Sequence, residues 1–395
     1  MTTRRILSDS EVVLGPNAQL AADALRMEPT TGIPTGLVYI MDTSFVEDVA
    51  GHPRGCYARD PDRVYLDFHR AAGTCLIDQY LASNPLTMAA DGYETHTERT
   101  ATTGAQQVIL DGIAIDSPEA VVEHLERVVF PQLAQETAAT DPNDERAVHA
   151  LIEQELTAQA RFGPSILKVP HGEGFQHFPY MRYTTYGYSN YLTAFVMYPD
   201  VLERDFALQA DLAVKKNALA ARAIVEGGLP RVLRLDHDMA DSKGTLVDVR
   251  MLDRMWFPHF ERAIQPYLSA GIRLLWHCDG NLMAMVPRLL EVGIGGFQGF
   301  QYEDGMDYER ICRMRRAGTR EGEPLMIWAG VSVTRTLPFG TPADVRKELD
   351  WLVRNGPVVG LFLGVSSSAT PGVPRANLET FIEGLHYYRR CGRPR

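Results

Sequence analysis

The sequence predicts an α/β barrel, and three observations carry the prediction. Strand-like apolar runs alternate with helix-like segments through the second half of the chain at β/α spacing. Two consecutive runs, Ile272 to Trp276 and a small-residue run ending at Phe300, each close on ionisable groups, which places both clusters at the carboxyl ends of neighbouring parallel strands. The length, 395 residues, suits one barrel with insertions. A single domain over residues 1–395 is therefore expected, with an N-terminal extension and helix at 1–35 and a β-hairpin insertion at 84–116.

Asn17 is a candidate N-cap for a helix from Ala18 to Met27, which Pro29 and Pro34 end. Leu37 to Met41 reads as a strand closing on Asp42, Thr43 and Ser44. Those three either cap a helix over Phe45 to Val49 or contribute to a site. Apolar residues recur at helical spacing from Asp62 towards Leu81. Residues 84–116 turn rich in Thr and Gly, and Gln107 to Ile115 alternates as a hairpin does. Ser117-Pro118 starts a helix to about Val129, and another spans Asp144 to Ala160. Pro164 to Val169 is a buried-strand candidate, Pro199 to Glu226 ends in a long helix, and Arg231 to Leu235 is the next strand. A helix from Val249 to Tyr267 precedes Ile272 to Trp276, and Leu282 to Glu291 follows it. The remaining elements are helix Tyr308 to Ala317, strand Leu325 to Ala329, helix Pro342 to Arg354, strand Val358 to Gly364 and a helix from Pro374 to Tyr388.

Composition narrows the function classes. The net charge of −11 and pI of about 5.5 disfavour a nucleic-acid or anionic-membrane partner. The five cysteines are odd in number, widely spaced and form no CxxC, which suits reduced thiols in a cytoplasmic protein. No run approaches the roughly 20 apolar residues that cross a bilayer, and the N-terminus has no signal-peptide core. Neither GxGxxG, GxxxxGK[ST] nor GxSxG is present, so nucleotide binding and a serine elbow lack support. The oligomeric state stays open, a homo-oligomer included.

Three stretches carry residue types suited to chemistry. Arg231 to Leu235 ends in Asp236, His237, Asp238 and Asp241. Bunched acids need a cation or hydrogen bonds to compensate them, unless they only cap the helix that follows. Ile272 to Trp276 ends in His277, Cys278 and Asp279, and the next strand in Gln301, Glu303, Asp304 and Asp307. Residues 171–191, HGEGFQHFPYMRYTTYGYSNY, hold five tyrosines with His171, Glu173 and His177, a ligand-facing loop or a ring-packed rim.

The block WHCDGN, the helix through Glu291, GIGGF, Gln301 and Met306-Asp307 together resemble the uroporphyrinogen decarboxylase-like superfamily. LRLDHDMADSKG resembles that family's acidic strand end. PLMIWAGVSVTRTLPFGTPADVRKEL and GLFLGVSSSATPGVPRANLETFIEGLHYY are similar to its last two β/α units, and ALRMEPTTGIPTG and YARDPDRVYLDF are weaker echoes. The resemblance covers most of the chain and implies a (β/α)8 TIM barrel. Two departures steer it. The strand end YIMDTS lacks the arginine loop of true uroporphyrinogen decarboxylases, and GVSSS stands where their last strand ends G-H-G. In the thiol-alkylating methyltransferases of the family, zinc sits on His-x-Cys and a later Cys. Here those positions are Asp279 and a serine among Ser366, Ser367 and Ser368, and Cys278 is displaced by one onto the other face.

What the resemblance then implies is the H-x-D-G variety: a methyltransferase taking a methyl group from a small O-, N- or S-methyl compound to a corrinoid. The chain carries no corrinoid domain of its own that we identify, so a partner protein would bring it. Expected catalytic residues are Asp236, Asp238, His277 and Asp279. His277 and Asp279, with Glu173 or one of Asp236 and Asp238, would hold zinc or another divalent metal; without metal, Asp236 or Asp238 would act as a general acid. Tyr186, Tyr188, His237, Trp276, Gln301 and Glu303 are the expected substrate contacts. Two other readings stand beside this one. A barrel lyase or decarboxylase would need a cation at the pocket base, from Arg182, Arg234 or Lys168, and no metal. A non-catalytic small-molecule-binding barrel would need neither.

Overall fold

Among the described residues, seven short parallel strands and one extended segment stand side by side as the staves of a barrel. The computed structural model describes residues 13–83, 108–318 and 322–393. The strands are β1 (Leu76–Ile77), β2 (Leu167–Lys168), β3 (Val232–Asp236), β4 (Arg273–His277), β5 (Gly296–Gln298), β6 (Met326–Val331) and β7 (Leu361–Val365). A continuous ladder runs β3-β4-β5-β6-β7. Bridges Thr35↔Leu363 and Gly36↔Leu76 carry it through residues 35–40 to β1, which pairs with β2. Most positions of these runs are buried on both faces, as in strands covered by helices.

Among the described residues no backbone ladder joins β2 to β3, and side chains bridge that seam instead. The Gln176 amide donates to the carbonyl of Arg234, and the Arg234 guanidinium reaches His171 at 3.2 Å and Asp78 at 2.6 Å.

Helices pack outside the staves, and proline at the first helical position starts several of them, at Pro16, Pro61, Pro118, Pro199 and Pro342. The helix Pro199–Glu226 lies along Phe257–Ser269, whose Phe260 packs on Trp256 and Trp276 with ring centroids 4.4 and 5.4 Å apart.

Several expectations shift. The first helix is Pro16–Leu25 with Gly15 as N-cap, so Asn17 lies inside it. Asp42, not Thr43 or Ser44, caps Thr43–Ala50 by accepting the Phe45 N–H. The helix begun near Asp62 stops at Ala71, where Gly73 in left-handed backbone turns the chain into β1. The span Val249 to Tyr267 is two helices, Val249–Met255 and Phe257–Ser269, and Leu282 to Glu291 is helical only over Val286–Glu291. Ile109–Leu110 and Ile113–Ala114 pair antiparallel within the expected insertion. The rest of that insertion, 84–107, and residues 1–12 of the extension lie outside the described residues.

Candidate active site at the strand ends

Register brings the site together. Asp236 pairs with His277, and His277 with Gln298, so three neighbouring strands place these residues in one row at their carboxyl ends. Side chains of one row in a parallel sheet share a face, and here that face is the barrel interior. The Gln298 carbonyl lies 3.1 Å from Nδ1 of His277. A carbonyl only accepts, so Nδ1 carries a proton and Nε2 is the nitrogen left to face the cavity. Gly299 makes this possible: a Cβ there would stand 2.8 Å from His277 Nδ1 and 2.4 Å from the Ser366 carbonyl.

The next turn of each strand end is laced to its neighbour. Asp238 Oδ1 accepts the N–H of Asp279 at 2.7 Å, and the Asp241 carbonyl accepts that of Asn281 at 2.7 Å. Cys278 Sγ takes the Met239 N–H and donates to the Asp279 carbonyl. Asp279 Oδ1 then sits 3.8 Å from His277 Nε2, and Ser367 donates to Asp279 Oδ2 at 3.2 Å.

Ligand atoms of Asp236, Asp238 and His277 lie within 4.8 Å of one another, the one such three-residue group among the described residues. Solvent reaches it: the side chains of Asp236 and Asp279 are 33% and 39% exposed, while that of His277 is 9% exposed.

The electrostatics set the acids apart. Burial works to raise the Asp236 carboxyl, but His277 and Arg234 outweigh it and hold the group below its ordinary range. Burial raises Asp279, the neighbouring Asp238 and Asp236 add to this, and His277 and Ser367 only partly oppose it. The two carboxyls are thus shifted in opposite directions, the pattern that acid–base sites use. Burial drives the Cys278 thiol well up, so it is a protonated, hydrogen-bonded spacer.

Beneath the row lies a buried polar layer that the sequence reading missed, although Arg234 and His171 were in view. Arg234 donates to Asp78 at 2.6 Å, Asp236 at 2.7 Å, His171 at 3.2 Å and Gln298 at 3.4 Å. Tyr39 donates to the other oxygen of Asp78. Burial alone would raise Asp78, yet Arg234 keeps it well below the usual carboxylate range. Desolvation lowers His171 to about 4, so it is a neutral acceptor.

Other expected residues fall elsewhere. Glu173 is exposed and stands apart from the convergent group, so it is not a ligand with His277, and Asp279, the other expected ligand, is replaced in that group by Asp236 and Asp238. Gln176 and Arg234 both direct N–H groups at His171 Nε2, which engages it without a metal. Trp276 is buried on the helix-facing side of β4 among Phe178, Trp256 and Phe260, and is no substrate contact. Tyr186 is equally buried, 2.8 Å from His124 Nδ1.

His237 is buried too; its Nε2 accepts the Met181 N–H and its ring stacks on Tyr183. It hangs the tyrosine loop on the strand end rather than touching substrate. Tyr188, 37% exposed and stacked on Tyr183 at 4.5 Å, stays open to a ligand. Gln301 accepts the Gly280 N–H at 2.6 Å, and Glu303 accepts the hydroxyls of Ser332 and Thr334, so both brace loops at the mouth. Asp241 closes a turn by accepting the Lys243 and Gly244 N–H groups, and Asp248 is the cap of the following helix.

Among solved structures the chain is similar to a methyltransferase from Methanosarcina mazei, at 16% identity and a TM-score of 0.54, over 94% of this chain and 98% of that one. That likeness shows the fold, an α/β barrel. A B12-independent methionine synthase from Shewanella sp. W3-18-1, in complex with selenomethionine, matches 61% of this chain and 67% of its own at 15% identity; its TM-score of 0.32 is too low to bear on the site. No family model matches the sequence, and no curated protein does. Among the described residues no helix is long and apolar enough to cross a membrane.

Proposed function

We propose that the protein is a methyltransferase that moves a methyl group from a small O-, N- or S-methylated compound to a corrinoid carried by a partner protein. The observation that carries the reading is the convergence of Asp236, Asp238 and His277 at the strand ends, beside an Asp279 whose pKa burial raises. One imidazole nitrogen and two carboxylates form a donor set that fits zinc or a similar divalent ion. Such an ion, when bound, supplies Lewis-acid polarisation of the leaving heteroatom.

The chain's own residues account for the rest. His277 is oriented through Nδ1 by the Gln298 carbonyl and aims Nε2 into the cavity. The Asp279 carboxyl, its pKa raised by burial, stands next to that nitrogen, where it would deliver a proton to the departing oxygen, nitrogen or sulfur; a methyl group leaves readily only when its former partner is neutralised. Tyr188 offers a ring face at the mouth for the methylated compound.

The lyase reading loses its cations. Arg182 is bonded to Asp205, Arg234 to Asp78 and Asp236, and Lys168 to Glu155, and each pair is largely buried. None stands free to grip a substrate carboxylate. A purely binding barrel has no need to raise Asp279 beside an oriented imidazole.

The test is a spectroscopic titration of the protein with a Co(I) corrinoid protein and a panel of O-, N- and S-methyl donors. Methyl-Co(III) with at least one donor class is expected, and its loss on chelation. Formation of no methyl-Co(III) from any donor would contradict the reading.

A further inference from the structure

Resting on the proposed cation site, we infer that each of its three side chains is pinned through one atom and offers only the other. The site then takes a zinc-like divalent ion through one nitrogen and two single oxygens, with Arg234 as the positioning residue for Asp236. Oδ2 of Asp236 accepts from Arg234 at 2.7 Å, Oδ1 of Asp238 accepts the Asp279 N–H at 2.7 Å, and Nδ1 of His277 is engaged by the Gln298 carbonyl at 3.1 Å. What remains is Oδ1 of Asp236, Oδ2 of Asp238 and Nε2 of His277. A carboxylate tethered by a charge-assisted bond through one oxygen is held from swinging round to chelate with both.

Arg234 is suited to this role by its own surroundings. It is 2% exposed, and Asp78, 1% exposed, faces it from the end of β1. Asp78 balances the guanidinium charge, which leaves the charges of Asp236 and Asp238 to balance a divalent ion. Tyr39 fixes the second Asp78 oxygen, and Gln176 holds the Arg234 carbonyl, so the guanidinium has little freedom to move.

Coordination mode decides which ion fits. Calcium gathers about six to eight oxygens, often with bidentate carboxylates, and magnesium also prefers oxygen and keeps its waters. An imidazole with two single oxygens suits zinc, cobalt or iron(II) and leaves positions open for substrate.

The experiment is a titration of metal-stripped full-length protein with Zn2+, Co2+, Ca2+ and Mg2+, by calorimetry for affinity and by visible absorption for Co2+. Zn2+ and Co2+ are expected to bind one equivalent, at least ~100-fold tighter than Ca2+ or Mg2+. Arg234→Met should weaken Zn2+ about 10–100-fold and change the Co2+ spectrum, with part of both restored by Arg234→Lys. Because Arg234→Met strands Asp78, the double variant Asp78→Asn/Arg234→Met is measured beside it, with circular dichroism to confirm folding. Ca2+ or Mg2+ binding as tightly as Zn2+ overturns the coordination inference while leaving a cation site in place. A folded double variant with wild-type affinity and spectrum overturns the role of Arg234. If no ion binds the wild type, the proposed function loses its metal and this inference falls with it.

Discussion

The backbone N–H of Asp279 donates to the side chain of Asp238 at 2.7 Å, across two strand ends that lie 41 residues apart in sequence. One acid of the site is therefore aimed by the main chain of another, and Asp279 keeps its own carboxyl free for His277 and Ser367.

That division makes Asp279 separable by mutation. Asp279→Asn keeps the backbone bond to Asp238 and removes the transferable proton, so zinc binding should persist while methyl transfer slows by ~10²–10⁴. Because the Asp279 pKa is raised, the acid is present below that value and is lost as pH climbs through it. Single-turnover rates against pH should thus fall on the basic side in the wild type and lose that limb in Asp279→Asn. An unchanged rate would remove Asp279 from the mechanism.

Trp276 should matter for stability and not for substrate. It is buried among Phe178, Trp256 and Phe260, so Trp276→Ala should cost about 3–5 kcal/mol in urea unfolding, and Trp276→Phe clearly less. Tyr188→Ala, at an exposed ring, should stay within about 0.5 kcal/mol in the same assay. Its effect should show in KM for the methylated compound.

The contrast between Trp276 and His277 also shows what could be read beforehand. Period-two alternation put Cys278 on the face opposite His277, and the same rule sends Trp276 there. An aromatic beside a site still invites a binding role, and only packing against Phe260 decides otherwise. Strand ends were legible because apolar runs stop abruptly at Asp236 and His277, and most helix starts were legible because proline or a capping side chain marks them. The break at Trp256 carries the same signal in Pro258, in the first turn of the second helix, but the span Val249 to Tyr267 runs straight past it. Glu173 misled because residue type does not say where a loop side chain distant in sequence from His277 will stand, and this one is exposed and apart from the group. The Arg234–Asp78 pair is not visible in the sequence because 156 residues separate the two, and only barrel geometry brings them together.

Cys278 should be chemically silent. Burial and its hydrogen bonds keep the thiol protonated, whereas Cys391 is exposed. Iodoacetamide footprinting of the native protein should label Cys391 well before Cys278, and Cys278→Ser should retain zinc. Early modification of Cys278 would instead indicate a thiolate at the site.

Acid should destabilise the fold before ordinary carboxylates titrate. Burial lowers His171, His177 and His237 to about 4 and His69 to about 3, against an ordinary value of 6.5. The unfolded chain takes up these protons first, so stability is full above about pH 6.5 and declines as pH falls towards about 4. Each histidine contributes a slope of at most about 1.4 kcal/mol per pH unit in that window. Urea midpoints measured from pH 7.5 to 4.5 should fall steadily. A flat profile would mean that these rings are hydrated in solution.

The central claim is that Asp236, Asp238 and His277 together form the cation site, and zinc content measures it most directly. Wild type, Asp236→Asn, His277→Ala and Glu173→Ala would each be loaded with Zn2+, desalted and analysed by inductively coupled plasma mass spectrometry. The account predicts about one zinc per chain in the wild type and in Glu173→Ala, and loss of zinc in Asp236→Asn and His277→Ala. Zinc absent from the loaded wild type, or lost only in Glu173→Ala, would contradict it.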